Sequence, residues 1–331
     1  METKNILVTG GAGFIGSHLV DELLRRGYNV VVLDNLRNGS LDNLRQNLSC
    51  HAFRFIEGDV TNSDVCSLAT SGAGIVYHLA CLGVRHSIHS PMENHKVNAE
   101  GTLVLLQAAL KNKVRKFFYI SSSEIYGHVS HFPIDEAALP SPSTVYGASK
   151  LVGEYYANAF YRCYGLATAV LRIFNNYGPR AHYEGDAGEL IPRTIVHIHH
   201  GLRPIIFGDG CATRDFIYVE DTARILASLL DCREIVGETI NVGTGVEMSI
   251  KSVVETLLLL MGRESLGVRY LDPRPGDLSR LWVDTGKLSR LTGLKPTIVL
   301  EKGLKETIAF YRELAKDSNL TAVIKEKNWE I

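Results

Sequence analysis

The chain has 331 residues, 45% of them hydrophobic and 21% charged, the composition of an ordinary globular protein longer than a single typical core. Its 35 Lys and Arg almost balance 36 Asp and Glu, leaving a net charge of −1. That balance excludes a global attraction to nucleic acid or to an anionic membrane, so any anionic ligand must be held by local donors.

In chain order, short apolar strands alternate with helical stretches. Strands are expected at Ile6–Thr9, Val30–Asp34, Phe53–Glu57, Ile75–Ala80, Lys116–Ser121 and Thr168–Ile173. Between them lie amphipathic segments such as Phe14–Arg25, with Ile15, Leu19 and Leu23 on one stripe, and Val97–Leu110. Such alternation implies right-handed βαβ crossovers and a parallel sheet covered on both faces. A Rossmann-type, doubly wound α/β domain is therefore expected over 1–175.

After Asn175 the character changes. A polar, glycine-rich segment at Arg180–Gly188 leads to a helix at Glu189–His200, strands at Pro204–Phe207 and Arg214–Tyr218, a loop at Asp272–Asp277 and a last helix at Leu300–Ala315. A smaller α/β substrate-binding lobe over 176–331 is expected at the carboxyl edge of the sheet. The boundary is discontinuous, with parts near 213–250 returning to the first domain.

The first strand runs directly into Gly10-Gly11-Ala12-Gly13-Phe14-Ile15-Gly16, which opens a helix. Glycines at 10, 13 and 16 let the backbone approach a pyrophosphate, and the helix N-terminus offers free N–H groups. Asp34, closing the second strand and followed by Asn35, would accept hydrogen bonds from ribose hydroxyls and repel a 2′-phosphate. NAD is therefore favoured over NADP, although Arg37 lies close enough to blunt the preference. Asp59 and Val60 after the third strand fit an adenine edge, and Ala80 with Cys81 after the fourth would line the dinucleotide.

Tyr146 and Lys150 lie four residues apart, so on a helix they share one face. A lysine ammonium beside a phenol favours the phenolate; moving that pKa from about 10 to near 7 takes about 4 kcal/mol. Ser122 could hold a substrate hydroxyl against the phenolate. Glu124 adds a carboxylate that simple alcohol oxidation does not require.

Taken in order, the strings from Gly10 to Gly16, His78-Leu79-Ala80, Ser121 to Gly127, Tyr146 to Lys150, Arg172 to Pro179, Gly208-Asp209-Gly210, Arg214-Asp215-Phe216 and Arg274 to Asp277 carry a family signature. The chain resembles an extended short-chain dehydrogenase/reductase of the nucleotide-sugar epimerase/dehydratase family, over nearly its whole length. The resemblance implies NAD as cofactor and Tyr146 as the residue that takes a proton from a sugar hydroxyl. Lys150 would hold the nicotinamide ribose, and Ser122 would bond the same sugar oxygen as Tyr146. Asn175, Arg214 and Arg274 would contact the nucleotide diphosphate, though Arg214 could instead pair with Asp215 or Asp221. A homodimer, built from the helices after Asn98 and at Tyr146, is also implied.

Within that family, Ser122-Ser123-Glu124 resembles the group in which a glutamate follows the catalytic serine or threonine by two. A 4,6-dehydratase with Glu124 as the base at C5 is expected first, although Ser123 departs from the aspartate variant. A 4-epimerase of the UDP-glucose or UDP-glucuronate type and a C6-decarboxylase of a nucleotide uronic acid stay open, as does an NAD-binding sensor or scaffold without turnover.

His197, His199 and His200 lack a carboxylate at ligand spacing, so no metal is expected and they read as a solvated helix face. His78 reads as a packing residue and Asn98 as a capping or supporting one, with His86 and His89 near a sugar pocket. Six scattered cysteines without a Cys-x-x-Cys suggest a reducing compartment. With a strand pattern beginning at Asn5 and no apolar run longer than Leu257–Met261, a cytoplasmic protein is expected.

Overall fold

The computed structural model describes residues 4–316 and 318–330. Six strands follow in chain order: β1 (Asn5–Thr9), β2 (Asn29–Asp34), β3 (Phe53–Glu57), β4 (Ile75–His78), β5 (Lys116–Ser122) and β6 (Ala167–Ile173). They pair in the order 3-2-1-4-5-6, and Thr239–Val242 adds a seventh strand beside β6; every pairing is parallel. The order reverses between β1 and β4, which opens a crevice at their carboxyl ends. This is the doubly wound Rossmann arrangement that the alternation of elements predicts.

Both faces of the sheet are dry. On one side Leu19, Val20 and Leu23 of helix α1 (Phe14–Arg25) pack with Ile225 and Leu226 of the helix Val219–Ser228. On the other, Leu105, Leu106 and Ala109 meet Ala157 and Phe160 of the helix Val145–Tyr164. A third apolar cluster, built from Ile191, Ile195, Leu257, Ile308 and their neighbours, holds together short strands and helices after residue 176.

Three expectations need correction in detail. β4 ends at His78 rather than Ala80: Leu79 N–H still donates to the Thr9 carbonyl, but Ala80 N–H turns to the Thr9 hydroxyl. The expected helix Val97–Leu110 starts as a π turn over Lys96–Glu100. There Asn98 is buried and exchanges hydrogen bonds with the backbone of Leu82, so it supports the chain rather than capping a helix. The expected strand Arg214–Tyr218 is two strands, Thr213–Arg214 and Phe216–Tyr218, in different sheets. Asp215 divides them, its carboxylate accepting from Thr244 N–H, Thr244 Oγ1 and Gly245 N–H.

Candidate active site

The carboxyl ends of β1, β2, β4 and β5 open into one cleft of about 350 Å³, lined from Gly10 at one end to Arg214 and Arg274 at the other. The glycine turn is fixed by close approach. Gly10 has φ +69°, and a Cβ there would lie 2.7 Å from Ala80 N; a Cβ on Gly16 would lie 2.1 Å from the Gly10 carbonyl. Gly13 precedes α1 as its N-cap and offers no side-chain cap, so the first N–H groups of the helix face whatever occupies the turn. Gly13, Phe14, Ile15 and Gly16 all line the cleft.

Asp34 ends β2 and is held by N–H donors from Ala12 (2.9 Å) and Leu36 (2.9 Å), while burial pushes its carboxyl pKa up. Asn35 donates to Asp59 at 2.8 Å, and Asp59 also accepts from Thr61, bonds that hold its pKa down against burial. Val60, Ala80 and Cys81 complete this wall. The donors and the tight cradle fit a dinucleotide: N–H groups for a pyrophosphate, carboxylates for a ribose and an adenine. Arg37, expected to blunt the cofactor preference, is instead gripped by both Glu93 carboxylate oxygens and touches His86.

Tyr146 and Lys150 sit on the helix Val145–Tyr164, whose first turn is capped by Thr144 accepting from Gly147 N–H at 3.1 Å. That helix lies hard against β5, where a Cβ on Gly153 would lie 2.2 Å from the Tyr119 hydroxyl. Beneath it, Ser121 donates to Glu154, which pairs with buried Arg172 at 2.8 Å. Arg172 donates to the Tyr126 hydroxyl at 2.8 Å, and Tyr126 donates to Asn241 at 2.6 Å. This network ties β5, the helix, β6 and the seventh strand together directly below Ser122.

The Tyr146 phenol lines the cleft together with Lys150. Burial pushes the phenol well above its ordinary value, Cys81 adds to the rise, and a hydrogen bond with Ser122 opposes it. Lys150 is itself desolvated, which lowers its pKa, and its ammonium donates to the Ile120 carbonyl. It also lies 4.8 Å from the centre of the Tyr119 ring.

Glu124 reaches the same cleft from a short 3₁₀ turn, Ser123–Ile125, in which Ser122 Oγ accepts from Glu124 N–H at 3.2 Å. Its carboxylate has no hydrogen-bond partner among the described residues. Burial raises its pKa, against the pull of Arg214, Arg274 and Arg85. Ser123 also lines the cleft but is only 3% exposed.

At the far end, Arg214 pairs with neither Asp215 nor Asp221. It donates to Asp277 at 2.7 Å and to the carbonyls of Thr213 and Leu278, and Arg274 shares the same Asp277 oxygen at 2.8 Å. Asp215 is occupied by Thr244 and Gly245, and Asp221 by Arg224 and the backbone at Thr297 and Ile298. Asn175 lines the cleft beside them, with its Oδ1 unpartnered. Sequence reasoning missed Arg85 and Glu189, which line the cleft and pair at 3.4 Å, and missed Asp277 as the common partner of two arginines. Only Asp277 carried a signal, in the Arg-Pro-Gly-Asp string.

His78 is buried between Thr9 Oγ1 (2.7 Å) and Thr102 Oγ1 (2.9 Å), and burial pushes its pKa down to about 3. His86 lines the cleft, whereas His89 is bonded to Asp186 at 2.9 Å. The solvated face expected for the histidine cluster is corrected at His197, which is buried with its pKa lowered to about 4. No group of metal-ligating side chains comes together among the described residues. No helix among them is long and apolar enough to cross a membrane.

Residues 6–243 match the family described as the NAD dependent epimerase/dehydratase family. A putative UDP-glucose 4-epimerase of Methanocaldococcus jannaschii is 36% identical over 92% of this chain and 97% of its own length. A dTDP-glucose 4,6-dehydratase of Streptomyces niveus is 35% identical, covering 93% of each chain. Among solved structures, the dTDP-glucose 4,6-dehydratase DesIV of Streptomyces venezuelae, with NAD bound, superimposes with a TM-score of 0.89 at 32% identity over 93% of this chain and 97% of that one. The relatives thus include both epimerases and dehydratases. Fold, glycine cradle and similarity agree: this chain is an enzyme of the NAD dependent epimerase/dehydratase family, with NAD as its cofactor.

Proposed function

We propose that the protein is a nucleotide-sugar 4,6-dehydratase working through a transient 4-keto sugar. The observation that supports this reading is Glu124: a carboxylate without a hydrogen-bond partner among the described residues, in the same cleft as Ser122, Tyr146 and Lys150, with its pKa raised by burial. A carboxylate whose pKa is raised is a stronger base than an ordinary one and is suited to take and return a carbon-bound proton.

When bound, NAD would supply the hydride acceptor for C4 and the hydride returned to C6. Tyr146 Oη takes the proton of the C4 hydroxyl while Ser122 Oγ holds the same oxygen. Lys150 holds the nicotinamide ribose and stabilises the phenolate. Glu124 removes the C5 proton, acidified by the 4-keto group; as the C6–O bond breaks, the departing hydroxide takes that proton from Glu124 and leaves as water, and Glu124 then passes a solvent-derived proton to C5 as C6 regains its hydride. Gly10, Gly13, Phe14, Ile15, Gly16, Asp34, Asn35, Asp59, Val60 and Ala80 bind the dinucleotide, and Asn175, Arg214 and Arg274 bind the diphosphate. Arginine forks suit that task and meet the need for local donors in a nearly neutral chain.

A second reading, 4-epimerisation, is favoured by Ser123, which brings no charge to assist a leaving hydroxide. One experiment separates them: incubation with UDP-, dTDP-, GDP- and CDP-sugars in deuterated water, read by mass spectrometry and NMR. Loss of water with deuterium at C5, abolished in Glu124→Gln, supports dehydration. A new isomer of unchanged mass supports epimerisation, and loss of carbon dioxide from a uronic acid supports decarboxylation.

A further inference from the structure

Beside the arginine end of the cleft lies a second cavity of about 120 Å³, sharing Asn175, Arg85, Arg214 and Arg274 with it. One wall of this cavity is formed by Asn328 and Trp329, from a segment more than fifty residues beyond any motif. The segment is fastened where it matters. Arg193 donates to the carbonyls of Lys325 (2.6 Å) and Glu326 (2.9 Å), and Asn328 Nδ2 donates to the Gly188 carbonyl at 2.9 Å. Trp329 is 7% exposed and meets Phe207 edge-on, with ring centres 4.7 Å apart.

Two polar atoms in this wall are left over. Asn328 is 1% exposed, and because its Nδ2 is committed to Gly188, its Oδ1 is an acceptor; it has no partner. Arg193, 8% exposed, has an unpartnered Nε, and burial lowers its pKa to about 10. Leaving such groups buried and unmatched is costly, so a ligand that satisfies them gains what the empty protein lacks. An aromatic edge, an acceptor and a donor at one end of a diphosphate site together match a flat heterocycle carrying both N–H and C=O groups.

We propose that the segment Leu320–Glu330 completes the substrate site, with Asn328 and Trp329 as specificity-determining residues for the nucleotide base, and that the base accepted is a single-ring imide of the uracil or thymine class. This rests on the nucleotide-sugar reading of the cleft. The small cavity favours one ring over two. An imide N–H matches Asn328 Oδ1, whereas cytosine presents an acceptor at the same ring position.

The test is titration of the NAD-loaded enzyme with UDP, dTDP, CDP and GDP, followed by tryptophan fluorescence and calorimetry, and by KM and kcat for the sugar that wild type converts. UDP or dTDP is expected to bind best. Asn328→Ala and Trp329→Ala are each expected to weaken that binding about ten-fold and to raise KM with kcat retained. Trp329→Phe should restore most of the affinity and Asn328→Asp should impair it. Thermal melts of all four variants identify any that fail to fold, and the conservative Trp329→Phe keeps the test alive if an alanine variant does. Unchanged KM and unchanged base ranking in folded alanine variants, or preferential binding of GDP or CDP by wild type, would overturn the inference. Turnover of no nucleotide sugar by wild type would instead overturn the functional reading beneath it.

Discussion

The two ends of the cleft are built on different principles. At the glycine turn the chain uses backbone: residues within a few positions of one another, a helix N-terminus and φ +69° at Gly10, where contacts leave no room for a side chain. At the arginine end it uses side chains gathered from residues 85, 175, 189, 214, 274 and 277, several already paired before any substrate arrives. The first design fixes one cofactor rigidly. The second can be retuned residue by residue while the fold stays the same, as expected where relatives share a cofactor but differ in reaction.

The sharpest way to break this contrast is Gly16→Val. A side chain there runs into the Gly10 carbonyl, so NAD binding is expected to be lost altogether, with no NAD-dependent rise in melting temperature. Tyr146→Phe comes next. Turnover is expected to fall by about 10²–10⁴-fold, the usual worth of a positioned acid–base group, with nucleotide binding measured by calorimetry unchanged.

A third prediction concerns pH, and it bears on the buried scaffold rather than on either end. His18, His78 and His197 have pKa values lowered to about 4, 3 and 4 by burial. Between those values and the ordinary value near 6.5 the unfolded chain binds protons that the folded chain refuses. Stability is therefore complete above pH 6.5 and is lost as pH falls, by up to about 2 kcal/mol per histidine at pH 5. Melting temperature against pH checks this, and His197→Gln should flatten the slope.

Asp277→Asn tests the arginine end directly. Removing the carboxylate that Arg214 and Arg274 share is expected to cost about 1–3 kcal/mol. UDP should raise the melting temperature of this variant more than that of wild type, because its diphosphate replaces the missing anion. The smallest effect is expected for Glu93→Gln. Its pair with Arg37 is about 44% and 42% exposed, so stability should change by less than about 1 kcal/mol in chemical denaturation.

What the sequence discloses follows the same division. Phe14–Arg25 is helical over the expected residues because stripe, glycine turn and basic last turn are all local. Tyr146 and Lys150 are likewise brought to one cleft by a four-residue spacing. Nearness in sequence offers Arg214 the partners Asp215 and Asp221, whereas its partner lies 63 residues away in a loop that only packing brings alongside. The strand expected at 214–218 failed at Asp215 because Thr244 and Gly245, from another segment, claim its carboxylate. His197 differs from expectation for a related reason: a polar residue on a helix looks solvated until Asn328 and Trp329, from far along the chain, join it around one cavity. Periodicity does not reveal which distant segment covers a face.

The seventh strand has a consequence for how the chain is made. Thr239–Val242 is the last strand of the main sheet to leave the ribosome, about 65 residues after β6 ends, a stretch that includes the helix Val219–Ser228 packed on one face of the sheet. Until it emerges, the outer edge of β6 offers a row of unsatisfied backbone groups to any passing strand. At synthesis rates of about 5–20 residues per second that exposure lasts several seconds. The nascent enzyme therefore has a window of vulnerability to mispairing that closes only when Val242 is in place, well after the residues of its catalytic face have been translated.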